Sequence, residues 1–471
     1  MRFIRLVPLF SFAVLAAVLT LSAVNARAGF LYAVTDSTTA NMIYGFSVNE
    51  STGELTPLAG FPLATGYIGS GLTNLELAAI DPVNKRLYVG NRGSSNVTVY
   101  SIDQATGALT PTAFSPITTV ANERTLTVHP SGSPLIVGAD NFASFAITST
   151  TATAAPGSPY TMPTGVSPSA AVLTTDGNYY YAGGNSGNFY AGYAVNSTTG
   201  ELTALPGQPF DSGSTNPIPT ATDASGRLFV YSSRQALLRV YTLTNGVPTA
   251  VTGSPFSMTE TGFAAIGQLS TNGNFWVQPN RTRNHLYSVG ISGSGASTSL
   301  SVVGGSPFLT GGTTSQSIVF NAAGNFIFVA NGSSRNITRF AFDSSTGVLS
   351  GQNVQAANTL GTDGALSGMA YLPSAAAAGP VSIGGRVTTT APRGFNAVVT
   401  IENQSGIVQS AVMSSMGYYR FDNIPSGVQY TVRVTSKTAI FAPQTITPTG
   451  DMLNVNISES VPTDSSVTRM R

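Results

Sequence analysis

The chain has 471 residues, too many for one small core, with 21 Lys and Arg against 20 Asp and Glu and a formal net charge of +1. Only 9% of residues are charged, against roughly 25% in ordinary soluble domains, while 42% are hydrophobic, which excludes a disordered chain. Charge near zero, no basic tract and a single Trp leave nothing for nucleic-acid binding, and the absence of Cys excludes disulfides.

At the N-terminus, Arg2 and Arg5 precede an apolar run from Leu6 to Leu21, and Ala26-Arg27-Ala28 supplies small residues for a signal peptidase. These are the n-region, h-region and cleavage site of a secretory leader, so residues 1–28 are predicted to be removed after Ala28. The run is short for a membrane span and is interrupted by Pro8. With no Cys to carry a lipid and no later apolar span, the mature chain is expected to be exported: periplasmic, secreted or held at the cell surface.

From Leu31 onward one strand-like segment recurs about every 49 residues, within the roughly 40–50 residues of a propeller blade. The copies are Leu31-Tyr32-Ala33-Val34, Leu87–Gly90, Leu135–Gly138, Tyr179–Ala182, Leu228–Tyr231, Phe275–Val277 and Ile327–Ala330. A tight turn precedes each later copy, as in Asp81-Pro82-Val83-Asn84, His129-Pro130-Ser131-Gly132 and Asn272-Gly273. An alternating strand follows, for example Val97–Ile102 or Ile337–Phe342. Another turn comes next, a Thr-Gly turn in four of the units, as in Ala105-Thr106-Gly107-Ala108-Leu109 and Ser345-Thr346-Gly347-Val348-Leu349. A Gly-x-Pro element, Phe114-Ser115-Pro116 in the second unit, closes each unit except the seventh, and its Pro suits an outermost edge strand that needs no ladder donor.

The first unit has no room for an innermost strand after the leader, whereas Gly368–Pro373 is a matching strand with no Leu-Tyr-Val segment behind it. The two halves predict a ring closed by the C-terminal strand, which removes open sheet edges. Seven units in a closed ring make the fold class all-β, a seven-bladed β-propeller over residues 29–375. Its repeated Asp/Ala-x-Thr-Gly-x-Leu turn followed by Gly-Ser-Pro-Phe resembles the lactonase family of seven-bladed propellers. That family is related to the 6-phosphogluconolactonases and to surface-layer propellers with Tyr-Val-Thr-Asn repeats. The resemblance implies the fold and, as an activity, lactone hydrolysis.

Ser374–Gly379 changes the composition, and residues 376–380 read as a linker. Residues 381–460 read as a small β-sandwich, with strands at Val381–Val387, Asn396–Ile401, Tyr430–Val434 and Met452–Ile457, and residues 461–471 as a tail. The stretch Gly417-Tyr418-Tyr419-Arg420-Phe421-Asp422-Asn423-Ile424-Pro425-Ser426-Gly427 resembles the carboxypeptidase regulatory-like domain, a transthyretin-like sandwich. That likeness implies a noncatalytic accessory module.

A propeller builds its ligand site from loops that enter the innermost strands and loops that join second to third strands. The first set contains Asn74, Glu76, Glu123, Arg124, Gln316 and Asp363; the second contains Arg92, Asp140, Ser233, Arg234, Arg281, Arg283 and Arg335. The candidate ligand-binding rim is Arg92, Arg124, Arg234, Arg281, Arg283 and Arg335, guanidinium groups suited to carboxylates, phosphates or acidic sugars. For lactone hydrolysis the candidate bases are Glu76, Glu123 and His285, while His129 reads as a turn residue. No cofactor or metal is implied, because no His or Cys cluster has ligand spacing. Export, the rim and the appended domain favour a binding or scaffold protein for a glycan, peptide or small anionic ligand. The alternative is an extracytoplasmic lactone hydrolase.

Overall fold

Segments such as Arg86-Leu87-Tyr88-Val89-Gly90-Asn91 do not alternate between apolar and polar, and each of those six residues is buried. A strand in the middle of a sheet that packs on both faces reads this way, whereas one facing water on one side would alternate. In the computed structural model these segments are the second strands of seven separate sheets, each packed between two neighbours. The structure describes residues 29–460 except 73–75, 185–186, 233, 259–260, 263–265, 356–363, 374–380, 390–396, 404–405, 425–428, 447 and 449–450. The predicted leader, linker and tail, with Asn74, Ser233 and Asp363, therefore lie outside the described residues. Among those described, the one helical element is a single turn at Gly295–Ser297, and no helix is long and apolar enough to cross a membrane.

The second sheet shows the plan. Ala78–Asp81, Arg86–Asn91, Asn96–Ile102 and Leu109–Pro111 run antiparallel from the inside outward. The chain then turns at Ser115-Pro116, and Ile117–Thr118 comes back beside the start of the third strand. The Gly-x-Pro element is therefore not part of a continuous edge strand; it is the turn that splits the outer edge into two short pieces. The seventh unit lacks it, and its outer strand runs unbroken from Leu349 to Gln355.

Closure follows the predicted scheme. Ala365–Leu372 is the innermost strand of the sheet that also holds Gly29–Asp36, with Phe30 opposite Leu372 and Val34 opposite Gly368. Leu366, Met369, Ala370 and Leu372 are all buried. Apolar clusters fill the spaces between blades, as where Phe275, Val277 and Leu286 meet Ile318, Ile327 and Phe340.

The turns between third and fourth strands, Thr-Gly in four of the blades, do more than reverse the chain. Each turn between a third and a fourth strand offers a carbonyl to a side chain of the preceding blade. The Tyr32 hydroxyl donates to Gly107 at 2.7 Å, Arg86 to Ser149 at 3.3 Å and the Ser144 hydroxyl to Gly200 at 2.7 Å. The Tyr181 hydroxyl donates to Gly246 at 2.5 Å, Arg227 to Gly293 at 3.3 Å and the Ser288 hydroxyl to Gly347 at 2.7 Å. Arg339 donates to the Thr52 carbonyl and completes the circuit. Every joint carries the same bond.

Gly107 shows why glycine is needed there. Its φ is +73°, and an added Cβ would lie 2.6 Å from both Phe30 and Leu58 of the neighbouring blade. Gly107→Ala is expected to cost about 2–4 kcal/mol from backbone strain plus overpacking. Gly60 has φ +83° with nothing within 4 Å of such a Cβ, so Gly60→Ala is expected to lose only about 1–2 kcal/mol. Urea denaturation of the two variants measures the contrast, and equal losses would contradict the inter-blade role of the turn.

The C-terminal sandwich has one sheet of Tyr418–Ile424, Val381–Thr388 and Ile457–Ser458, and another of Gly406–Val412, Ala397–Asn403, Tyr430–Ser436 and Gln444–Ile446. Ile383, Val399, Phe421, Tyr430 and Val432 fill the space between them. Two details depart from the sequence reading. Gly406–Val412 is an unanticipated edge strand whose outer side is open, Val412 being 80% exposed. The expected strand from Met452 to Ile457 is broken by a turn at Leu453-Asn454, leaving a bridge at Met452 and a short parallel strand at Ile457–Ser458.

Candidate functional site

In an antiparallel blade the start of the first strand and the end of the second share one end of the sheet. The Gly90 amide accordingly donates to the Leu77 carbonyl at 2.9 Å. Loops entering the innermost strands and loops joining second to third strands thus meet on one face, around one mouth of the central channel. Glu76 lies there, at the start of the second blade's innermost strand. Its amide donates to the Arg124 carbonyl at 2.8 Å, and its carbonyl accepts the Leu126 amide at 3.0 Å.

The Glu76 side chain spans toward distant blades. The Ser317 hydroxyl of the seventh blade donates to Oε2 at 3.4 Å, and the Ile266 amide of the sixth blade also bonds the carboxyl. Glu76 as a residue is half-buried. Burial pushes its carboxyl up to about 8, outweighing the two hydrogen bonds that favour the ionised form.

Glu123 is placed differently. It is fully buried, the Thr119 hydroxyl donates to its Oε1, and its Oε2 has no partner among the described residues. Burial raises its carboxyl to about 7, partly offset by Thr119 and Arg92. Arg92 closes over this loop, donating to the Asn122 and Glu123 carbonyls at 3.0 and 3.1 Å and to Asn122 Oδ1 at 3.0 Å. Its guanidinium is thus committed to holding residues 122–123.

The other rim arginines divide by burial. Arg124 and Arg281 are partly buried, and desolvation lowers the pKa of each; for Arg124 the nearby Arg92 charge adds to this. A poorly hydrated guanidinium attracts an anion more strongly than a solvated one. Arg234 and Arg283 are exposed. Arg335 is half-buried at φ +51°, with Nε lacking a partner among the described residues.

His285 opens the third strand of the sixth blade, opposite Asn280 and beside Leu309 of the outer edge. It is on the third strand rather than on the channel wall with Glu76. His129 is a turn residue as expected: Nδ1 accepts the Ser131 amide at 3.1 Å, and burial lowers the ring's pKa.

Gln316 was expected at this mouth, but its place in a bulge, and the matching groups of other blades, were not legible in the sequence. Gln316, Thr220 and Ser169 are the extra residues of β-bulges where innermost strands begin, and Ser367 is its counterpart in the closing strand. Bulges re-aim side chains at the rims of closed sheets. Gln316 is 1% exposed, and both of its amide atoms lack partners among the described residues. Asp36 is fully buried and holds the loop above the first blade through Ser70 and the Leu72 amide.

With this geometry in place, comparison with known proteins is informative. The family described as lactonase, 7-bladed beta-propeller, matches residues 23–158 and 239–360, more than half of the chain. Among solved structures, a putative 6-phosphogluconolactonase from Bacteroides fragilis is similar at 16% identity and a TM-score of 0.58, covering 74% of this chain and 98% of its own. A periplasmic gluconolactonase from Pseudomonas aeruginosa is similar at 18% identity and a TM-score of 0.55, covering 73% and 99%. A protein from Lactobacillus plantarum gives 15% identity and a TM-score of 0.58, covering 73% and 99%. At such identities the likeness is one of fold. No curated protein matches the chain. Seven four-stranded blades, the closing strand and the family match together place the chain in the lactonase family of seven-bladed β-propellers.

Proposed function

We propose that the protein is an exported lactone hydrolase, its leader cleaved near Ala28, with the reaction at the channel mouth beside Glu76. The observation that carries this reading is the Glu76 carboxyl, placed at the channel mouth against Ser317 and held at about 8 by burial, in a chain of the lactonase family. A base that ionises near the working pH combines useful populations of both protonation states.

In the proposed reaction the Glu76 carboxylate takes a proton from water as its oxygen attacks the lactone carbonyl. Arg124, whose carbonyl accepts the Glu76 amide at 2.8 Å, faces the negative charge that develops on the carbonyl oxygen. Collapse breaks the acyl C–O bond of the ring, and Glu76 returns the proton to the leaving alkoxide, giving a hydroxy acid. Glu123, sealed under Arg92, tunes the loop rather than meeting substrate. The C-terminal sandwich, through its likeness to carboxypeptidase regulatory-like domains, is proposed as a noncatalytic accessory module. The test is acid release in a pH-stat from a panel of sugar and aliphatic lactones, in which an inert wild-type protein would sink the proposal.

The binding reading keeps one observation of its own, the two desolvated guanidinium groups at the mouth. If the site holds anionic ligands, Arg124→Ala combined with Arg281→Ala is expected to weaken binding of a small sugar acid by tenfold or more. Titration calorimetry with gluconate reads this directly. Equal affinity in the double variant would remove the arginines from the site.

A further inference from the structure

Glu76, Ser317 and Ile266, from three different blades, meet in the channel. Two residues further along their strands, about 7 Å deeper, come Ala78 after Glu76, Val319 after Ser317 and Gln268 after Ile266. These three, with Met369 of the closing strand, line a cavity of about 460 Å³. It opens on the face opposite the arginine rim, where Asn321 and Ala322 sit in the turn between first and second strands. Its volume falls within the roughly 300–1,000 Å³ of small-molecule sites.

The walls define what would fit. Among the described residues, no charged side chain lines the cavity. Asn321 and Tyr371 are already engaged: Asn321 Nδ2 donates to Glu50 Oε2 at 2.8 Å, and the Tyr371 hydroxyl donates to Glu50 Oε1. Gln268 and Thr271 supply the remaining polar side chains among the described residues. The four strands around the cavity are each the innermost of their sheet, so each has a second edge outside its own ladder, although the Met369 amide already donates to the Ser317 hydroxyl at 3.1 Å. Such edges present N–H and C=O groups in alternation. A neutral molecule with both donors and acceptors satisfies them, while the Glu50 carboxylate just outside disfavours an anion.

We propose that this lower compartment is a second binding site, for a small uncharged polyol- or amide-like molecule, separate from the rim above Glu76. The probes are glycerol, myo-inositol and N-methylacetamide, titrated into the full-length protein and followed by ligand-observed NMR. At least one is expected to bind saturably, with the dissociation constant raised tenfold or more in Ala322→Trp, which obstructs the exposed mouth. The thermal midpoint of that variant reports its folding, and if it does not fold, Gln268→Leu takes its place and is expected to weaken binding likewise. No saturable binding by any probe, binding unaffected by both variants, or binding lost in Arg124→Ala on the opposite face would each overturn the assignment.

Discussion

A chain that stops at Gly364 is expected to lose its cooperative unfolding transition, while one that stops at Pro373 keeps it. Only residues 365–373 separate the two, and they include the strand Ala365–Leu372 that completes the sheet begun by Gly29–Asp36. Deleting that strand removes the buried side chains of Leu366, Met369 and Leu372, each worth about 2–5 kcal/mol when truncated. It also bares the edge of Gly29–Asp36, a strand buried along its whole length. The side-chain losses alone, about 6–15 kcal/mol together, are as large as the roughly 5–15 kcal/mol that keeps a domain folded. Urea melts of both truncations, followed by near-ultraviolet circular dichroism, measure this, and a sharp transition in the shorter chain would show that the blades stand without closure.

Glu76→Gln is expected to lower kcat/KM for lactone hydrolysis by 100-fold or more, the scale on which positioned bases act. In the wild type, a base must be ionised, so the rate is expected to rise with pH through about 8 and level off above it. The stability consequence has the opposite sign. Because the folded-state pKa is raised, the native chain holds this proton between about pH 4.5 and 8 while the unfolded chain releases it. Stability therefore falls as pH rises across that window and is flat beyond it. Glu76→Gln removes the fall, leaving the variant relatively more stable at pH 9 than at pH 5. A rate profile that the substitution leaves unchanged would take Glu76 out of the chemistry, and an unaltered stability slope would show its carboxyl to be ordinarily solvated.

Periodicity made the blades readable because each one repeats the same burial problem. Leu87, Tyr88 and Val89 must be apolar on both sides, and the turns around them need glycine and asparagine at fixed offsets. Closure was equally legible, since an unpaired strand at one end and a vacancy at the other have one joint solution. The site was less so. Glu76 and Arg124 could be assigned to one mouth by strand counting, yet Ser317 and the Ile266 amide lie far away in sequence and reach Glu76 only across the channel. Nothing in the local pattern around Gln316 or Thr220 announces a bulge, because the extra residue is defined by its partner strand. Arg92 and Glu123 look alike on paper as rim charges, and only packing separates a loop clamp from a sealed carboxyl.

The carbonyl contacts of the turns between third and fourth strands all point the same way around the circle, each blade donating forward to its successor. Such head-to-tail contact has no twofold partner and ends only by coming back to its own beginning. The seam between the last and first sheets is thus chemically a joint like the other six. Where the polypeptide happens to be cut is secondary to the wheel, so new termini placed in a surface loop between other blades, with the old ones tied together, would rebuild the same object.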